Sequence, residues 1–153
     1  MNQLTFKFPF KTNYYEEDFY VSSNNFEAYK LIESWPNWPS RFVNIFGPSG
    51  CGKTHLSTIL KKKLNSFFTI ASELNDNNFI NIKSKECLII DDYNNNIEEK
   101  LLYTVLNQCL QSNQYVIINS IKPIKKIPIE LIDLRSRLES FTDIGIDLPT
   151  DDL

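Results

Sequence analysis

Short apolar runs alternate with amphipathic stretches along most of the chain, and this alternation predicts an α/β domain. Uninterrupted apolar runs are typical of strands that are buried on both faces of a parallel sheet. Five segments are predicted to be strands of this kind, and they lie at 41–46, 67–71, 87–92, 115–120 and 143–148. We therefore expect a mainly parallel five-stranded sheet.

Helices are predicted between these strands, where apolar residues recur at helical spacing. The expected helices lie at 25–34, from Gly52 onward, at 97–112 and at 130–138. The first should end at Trp35-Pro36-Asn37-Trp38-Pro39, because proline disfavours helix at its own position and immediately before it. The Asn-rich segment 72–85 is expected to hold a short helix and a loop.

A phosphate-binding pattern, GxxxxGK[ST], lies between the first apolar run and the helix after it, with every fixed position satisfied. Glycines let several backbone N–H groups converge on one anion, and the helix adds the positive end of its dipole. Lys53 is predicted to contact the outer phosphates, and the Thr54 hydroxyl to hold Mg²⁺. The candidate cofactor-binding residues are Gly47, Pro48, Ser49, Gly50, Cys51, Gly52, Lys53, Thr54 and His55.

Two adjacent carboxylates, Asp91 and Asp92, end the third apolar run. They should lie at the carboxyl edge of the sheet, where ligands of open α/β sheets bind. We expect Asp91 to hold Mg²⁺ and Asp92 to orient an attacking water. Asn119 ends the next strand and is expected to contact the γ-phosphate or that water. The phosphate loop and the acidic pair must therefore meet at one edge of the sheet.

Two arginines, Arg135 and Arg137, lie two residues apart on the last predicted helix and therefore cannot share a face. One is expected to pair with Asp133 or Glu139 as a surface charge. The other would be free to act as an arginine finger, which stabilises transition-state charge on a phosphoryl group bound by a neighbouring molecule.

The 153 residues are enough for one domain and carry a formal net charge of −3. An acidic balance argues against a protein whose main role is to grip nucleic-acid backbone. The lysines 61–63 follow one another on the P-loop helix, where a solvated surface is favoured over a DNA contact.

The cysteines, Cys51, Cys87 and Cys109, lack CxxC spacing, which fits a reducing compartment and no metal site built on cysteine. No apolar run has the length of a membrane span, and the N-terminus lacks a cationic start followed by an apolar core. We therefore expect a cytoplasmic protein with no membrane partner.

The first ten residues, from Met1 to Phe10, alternate aromatic and polar side chains before and around a proline. This pattern is compatible with an edge strand of the domain. An extended apolar peptide at a chain end is equally suited to a groove on another protein. The residues by themselves leave both interpretations open.

Several of these features together resemble one family. The run GPSGCGKTHL, the sequence IIDD, the strand ending in Asn-Ser, and DLRSRL are similar to the DnaA/Hda branch of the AAA+ ATPases, and most of all to its Hda-like regulators. Residues 18–28 resemble the segment that lines the adenine pocket in this branch. The resemblance implies a P-loop NTPase (AAA+) core of three αβα layers that binds ATP or ADP with Mg²⁺.

The resemblance also implies partners and a role in the control of chromosomal replication initiation. The residues that match the peptide by which Hda-like proteins dock on the β sliding clamp are Gln3, Leu4, Phe6 and Phe8. By motif position the arginine finger is Arg137, with Arg135 as an outside candidate, and it would promote hydrolysis of DnaA-bound ATP. The protein would contact DNA only indirectly, through the clamp. It is also expected to be able to form a homo-oligomer.

The implied division of the chain is a clamp-binding peptide at 1–12 and an AAA+ nucleotide-binding core at 13–153. In the family a small helical lid with a second sensor arginine follows the core, and we expect this lid to be absent here. Two other functions stay open. The chain could be a nucleotide-binding scaffold with a vestigial site, or a P-loop ATPase or kinase that acts alone.

Overall fold

A computed structural model describes residues 26–48 and 52–146 of the chain. Helices and strands alternate in it as the apolar pattern predicts. The helices are α1 Phe26–Ser34, α2 Lys53–Lys63, α3 Phe79–Lys83, α4 Glu99–Gln111 and α5 Ile132–Glu139. The strands are β1 Phe42–Phe46, β2 Ser66–Ile70, β3 Cys87–Tyr93, β4 Tyr115–Ser120 and β5 Thr142–Gly145.

The five strands form one parallel sheet in the order β2-β3-β4-β1-β5. This confirms the predicted α/β class and the predicted parallel five-stranded sheet. Because all the strands point the same way, the carboxyl ends of β1, β4 and β3 lie side by side at one edge. Those ends carry, in that order, the entry to the P-loop, Asn119 and the acidic pair.

Alternate residues of each strand pack into two apolar layers, one on each face of the sheet. On β3, Leu88 and Ile90 face a layer that includes residues of α3, α4 and α5, whereas Cys87 and Ile89 face a layer formed with α1 and α2. The architecture is therefore the predicted three-layer αβα core. Burial on both faces is the physical reason why β3 and β4 have continuous apolar runs.

The last helix and the last strand differ from their predicted bounds. The last helix begins at Ile132 rather than near residue 130, because Leu131 is extended and its N–H group binds the Glu99 carboxylate. The last strand ends at Gly145, and Ile146 beyond it is still buried. The predicted end of that strand, at 147–148, lies outside the described residues.

The Asn-rich segment contains the short helix expected there, α3, after two 3₁₀ turns at Ala71–Glu73 and Asp76–Asn78. Ile82 of α3 is wholly buried and anchors the segment to the core. Within the two described ranges, none of the helices is both long enough and apolar enough to cross a bilayer.

Candidate nucleotide-binding site

The backbone just before α2 has a conformation that favours glycine. Gly52 precedes the helix with φ 104° and ψ 9°, a left-handed conformation that is strained for any residue with a Cβ. No described side chain caps this helix, and its first turn lines a cavity with the positive end of the helix dipole. The Gly47 N–H group donates to the Ser120 carbonyl at 3.0 Å, which ties the loop entry to the end of β4.

Lys53 lies folded over the start of the loop. Its Nζ atom donates to the carbonyl oxygens of Gly47 and Pro48, the second at 3.3 Å. Because an ammonium group is a compact charge with three donors on a flexible stem, it can exchange carbonyl partners for phosphate oxygens. Lys53 is therefore placed to neutralise an anion that the helix N-terminus binds.

Thr54 and Asp91 bring two oxygen ligands together. The Thr54 hydroxyl donates to Asp91 Oδ2 at 3.1 Å, which joins the first turn of α2 to the end of β3. Oxygen donors of this kind suit Mg²⁺, which keeps several of its waters and takes few protein ligands. In the described part of the chain no three His, Cys, Asp or Glu side chains cluster as a metal site. A hydroxyl and a carboxylate fit a Mg²⁺ ion whose other ligands would be phosphate and water.

Asn119 lies behind Asp91. Its side chain is wholly buried, and Nδ2 donates to Asp91 Oδ1 at 3.1 Å and to Ser57 Oγ at 2.9 Å. Asn119 Oδ1 is also buried, without a hydrogen-bond partner. The amide was expected to contact the γ-phosphate or the attacking water. Its described contacts are with Asp91 and Ser57, and the first of them orients the Asp91 carboxylate. The contact with phosphate or water stays a prediction.

Asp92 lies where β3 is irregular. Its φ of 61° is left-handed, and the pairing of β3 with β4 shifts register between Ile90 and Tyr93. Such a bulge turns neighbouring side chains to different directions. Asp92 is exposed at the rim, where a water molecule could reach it.

One cavity of about 520 Å³ collects most of these groups. It is lined by Gly52, Lys53, Thr54, His55, Ile70, Asp91, Asp92, Ser120 and Ile121. The structure therefore brings the described half of the P-loop and both aspartates together at the carboxyl edge of one sheet. The predicted cofactor residues Ser49, Gly50 and Cys51 lie outside the described residues, as do Gln3, Leu4, Phe6 and Phe8.

A second network of polar contacts joins the end of β4 to β1 and β5. Ser120 Oγ lies 3.1 Å from Asn44 Oδ1, and Asn44 Nδ2 donates to Asp143 Oδ1 at 2.8 Å. The same Asp143 oxygen accepts the Ile124 N–H group at 3.1 Å. Together with Ser57, the buried Asn44 was missed from the sequence. The available signal was a polar residue in the middle of an apolar run.

Arg137 lies away from the cavity. Its Nη2 atom donates to Asn107 Oδ1 of α4 at 2.8 Å, and its Nε atom is buried without a hydrogen-bond partner. Arg135 donates to the Ile129 carbonyl at 2.7 Å. Within the described ranges neither arginine forms a salt bridge, so the expected pairing with Asp133 or Glu139 is wrong. Arg135 bonds to a backbone carbonyl and Arg137 to a side-chain amide in place of these carboxylates.

The two described cysteines are packing residues. Cys87 and Cys109 are free thiols, both buried in the apolar layers. Burial raises the pKa of the Cys109 thiol to about 12, and it raises that of Cys87 as well. Since the thiolate is the reactive form, neither is a nucleophile at neutral pH.

Comparison with known proteins identifies a family and a fold. The family model described as RNA helicase matches residues 43–128. No curated protein matches the chain. Solved structures do, among them AMPPCP-bound DnaA from Aquifex aeolicus, which is 24% identical with a TM-score of 0.69. That match covers 87% of this chain and 50% of the DnaA chain.

Two further structures have similar scores. Domain III of DnaA from Thermotoga maritima is 22% identical with a TM-score of 0.73, over 89% of this chain and 68% of that one. DnaI is 14% identical with a TM-score of 0.66, over 84% of each chain. These likenesses show the fold of the DnaA-type AAA+ P-loop domains. The chain spans about half the length of the Aquifex DnaA.

Proposed function

The chain belongs to the family described as RNA helicase, and on the premise of that family and the DnaA-type fold we propose that it is an Hda-like regulator of chromosomal replication initiation. In this proposal it binds ATP or ADP with Mg²⁺, docks on the β sliding clamp and promotes hydrolysis of DnaA-bound ATP. The observation that carries it is the meeting of Lys53, Thr54 and Asp91 in one cavity at the carboxyl edge of the sheet.

The nucleotide site is proposed to work as follows. The first N–H groups of α2 and the Lys53 ammonium bind the phosphates, and Thr54 with Asp91 would hold Mg²⁺, which neutralises phosphate charge when bound. Asn119 keeps the Asp91 carboxylate turned toward Thr54. Asp92, exposed at the rim, orients water. Binding of AMPPCP by the similar Aquifex DnaA supports an adenine nucleotide as the ligand.

Arg137 is proposed to serve a partner's nucleotide rather than the chain's own. No residue of α5 lines the described nucleotide cavity. The layer that contains α5 also lies on the opposite face of the sheet from α2. An arginine so placed can reach a phosphoryl group only on a neighbouring molecule, as an arginine finger does. DnaA is the proposed neighbour, because the chain has the fold of DnaA domain III.

The N-terminal residues are proposed to tether this activity to replicating DNA. In the proposed division, residues 1–12 bind the clamp through Gln3, Leu4, Phe6 and Phe8, and residues 13–153 form the nucleotide-binding core. A peptide of residues 1–10 should bind the clamp, and the double variant Gln3→Ala, Leu4→Ala should not. Equal affinity of both peptides would remove the tether from the proposal.

The experiment that tests the function is turnover of DnaA-bound ATP with the chain present and the clamp loaded on DNA. We expect the chain to accelerate hydrolysis, and Arg137→Ala to remove about 10³-fold of that acceleration, the usual contribution of an arginine finger. Lys100→Ala is the matched control, because it removes a positive charge from an exposed position on α4. No acceleration by the unaltered chain would reject the regulatory function, whereas full activity of Arg137→Ala would reject only the finger.

Family membership also favours a second candidate, ATP-dependent remodelling of RNA, because the family's description names an RNA helicase. The net charge of −3 weakens this candidate, because proteins that bind the RNA backbone usually present a basic surface. Turnover of free ATP by the purified chain, with and without single-stranded RNA, separates the two. Stimulation by RNA in the absence of DnaA would favour remodelling.

A further inference from the structure

Glu99, the first residue of α4, binds the backbone just before α5. Its Oε1 atom accepts the Leu131 N–H group at 2.8 Å, and its Oε2 atom accepts the Glu130 N–H group at 3.1 Å. Each carboxylate oxygen therefore has its own backbone donor. The two N–H groups, chiefly that of Leu131, lower the pKa of the Glu99 carboxyl, so it is ionised at neutral pH.

This carboxylate supplies what α5 lacks. Leu131 stands at the cap position of α5 and has an apolar side chain, so no side-chain cap bonds there. A negative charge next to the first turn of a helix is favourable, because the helix dipole is positive at that end. Glu99 thus fixes the start of α5 from a different helix.

A second contact fixes the other end of the same helix. Arg137, in the last turn of α5, donates to Asn107 of α4 at 2.8 Å. Glu99 and Asn107 are eight residues apart on α4, close to two turns, and so lie near one face. With both contacts α5 is held at two points along α4, and with one it could pivot about the other.

The loop that leads to Glu99 begins just after β3, the strand that carries the acidic pair. Asn96 Nδ2 donates to the Asp92 carbonyl at 3.2 Å, and Asn95 Nδ2 donates to the Pro128 carbonyl at 3.0 Å. Asn95 Nδ2 also lies 3.5 Å from Glu99 Oε2. Asn95 has a φ of 66°, so the chain turns sharply between the two contacts. The nucleotide edge of the sheet is thereby joined to the segment before α5 through side chains of one loop.

We propose that Glu99 is a positioning residue for Arg137, because its carboxylate locks the start of α5 against α4 and the loop from the acidic pair. The role toward Arg137 rests on the proposed function. The lock itself does not, because it can be measured in the isolated chain. Glu99 contacts neither nucleotide nor partner in this proposal and acts only through the placement of α5.

The test compares Glu99→Gln with Glu98→Gln in the full chain. Gln keeps the size of Glu but replaces one acceptor oxygen with an NH₂ group, which cannot accept a backbone N–H. Glu98 is the matched control, because it is the exposed preceding residue and caps no helix with its side chain. Hydrogen exchange of the Glu130 and Leu131 amides, resolved by NMR, reports the lock. The maximal rate and half-saturating concentration for DnaA-bound ATP turnover report the finger.

We expect the two amides to exchange about tenfold faster in Glu99→Gln, since hydrogen bonds to charged groups are among the stronger ones, and to be unchanged in Glu98→Gln. The maximal stimulated rate should fall about tenfold, with the half-saturating concentration of the chain unchanged. General destabilisation would lower the concentration of folded chain, so it would raise the apparent half-saturating concentration and leave the maximal rate unchanged. Asn95→Gly tolerates the left-handed backbone at this position and removes the amide that contacts both Glu99 and the Pro128 carbonyl, and it should speed exchange by about threefold. It serves as the test variant if Glu99→Gln does not fold.

Unchanged exchange in the test variant would overturn the lock. Faster exchange with an unchanged maximal rate would overturn the positioning of Arg137. If the unaltered chain does not stimulate turnover at all, the proposed function fails, and the exchange rates still decide whether Glu99 holds α5.

Discussion

The two edges of the sheet are stabilised in opposite ways. At the carboxyl edge, buried amides and hydroxyls form hydrogen bonds with one another, and the Asn119 amide donates to both Asp91 and Ser57. At the amino edge, where β4 begins, Trp35 and Trp38 pack edge-on against Tyr115, with ring centroids 5.6 Å and 5.4 Å apart. The Arg41 guanidinium lies 4.6 Å from the centre of the same Tyr115 ring.

The difference shows how one strand serves two purposes. Ring contacts at the start of β4 bury apolar surface and make few directional demands, so they stabilise the fold. The amides at its end are directional, and Asn119 Oδ1 remains buried without a partner, a state that costs free energy. We infer that changes at the amino edge alter stability, while changes at the carboxyl edge alter ligand binding.

The largest effect is expected for Lys53→Ala. Loss of the ammonium should weaken ATP binding about 100-fold, because charge-assisted hydrogen bonds to phosphate are among the strongest in proteins. The free energy of unfolding should fall far less than the free energy of ATP binding, since the Lys53 ammonium bonds to the carbonyls of Gly47 and Pro48 in the loop. Titration calorimetry and urea unfolding measure the two quantities. A stability loss as large as the binding loss would break the separation of the two edges.

The opposite result is expected for Trp38→Ala at the amino edge. This change removes the ring contact with Tyr115 and the hydrogen bond from Trp38 Nε1 to the Leu31 carbonyl at 2.7 Å. We expect the free energy of unfolding to fall by about 2–3 kcal/mol, somewhat less than for a fully buried tryptophan. ATP affinity at a temperature where the variant is folded should remain within about twofold. A large loss of affinity would show that the two edges are coupled.

Asn119→Ala should have a mixed and smaller effect, because this residue is both buried and tied to the site. Without its amide, Asp91 loses one partner, and we expect the Mg²⁺-dependent part of ATP affinity to fall about tenfold. Binding measured in excess EDTA should change little. Thr58→Ala is the control, since among the described residues that hydroxyl bonds only to the Thr54 carbonyl of its own helix. Equal losses with and without Mg²⁺ would argue against orientation of Asp91.

The smallest effect concerns acid stability at Glu99. Its folded pKa lies below the ordinary value of 4.5, mainly because of the Leu131 and Glu130 N–H groups, with Asn95 and Arg135 adding to the effect. A lowered pKa contributes stability that is fully present above that ordinary value and is lost as the pH falls through the lower folded value. The stability difference between the unaltered chain and Glu99→Gln should therefore shrink below pH 4.5. Urea midpoints from pH 6 downward measure it, and a constant difference would contradict the lowered pKa.

The sequence by itself determined the class of fold and the place of the GxxxxGK[ST] pattern between the first strand and the helix after it. Apolar runs and helical spacing are properties of neighbouring residues, so they could be recognised without coordinates. The strand count, the parallel sheet and the helices flanking β1, β3 and β4 followed from them. The placement of Lys53 and the acidic pair at one edge followed from strand direction, which a parallel sheet makes common to all strands.

Only the tertiary structure decided which polar side chains meet. Asn119 and Ser57 are 62 residues apart, and Asn44 and Asp143 are 99 apart, so neither bond has a local signal. The contact of Arg137 with Asn107, and that of Glu99 with the backbone before α5, arise in the same way. Such partners come within hydrogen-bond reach only after the strands have paired in register and the helices have packed on the sheet, because side-chain hydrogen bonds depend on distance and direction rather than on sequence spacing.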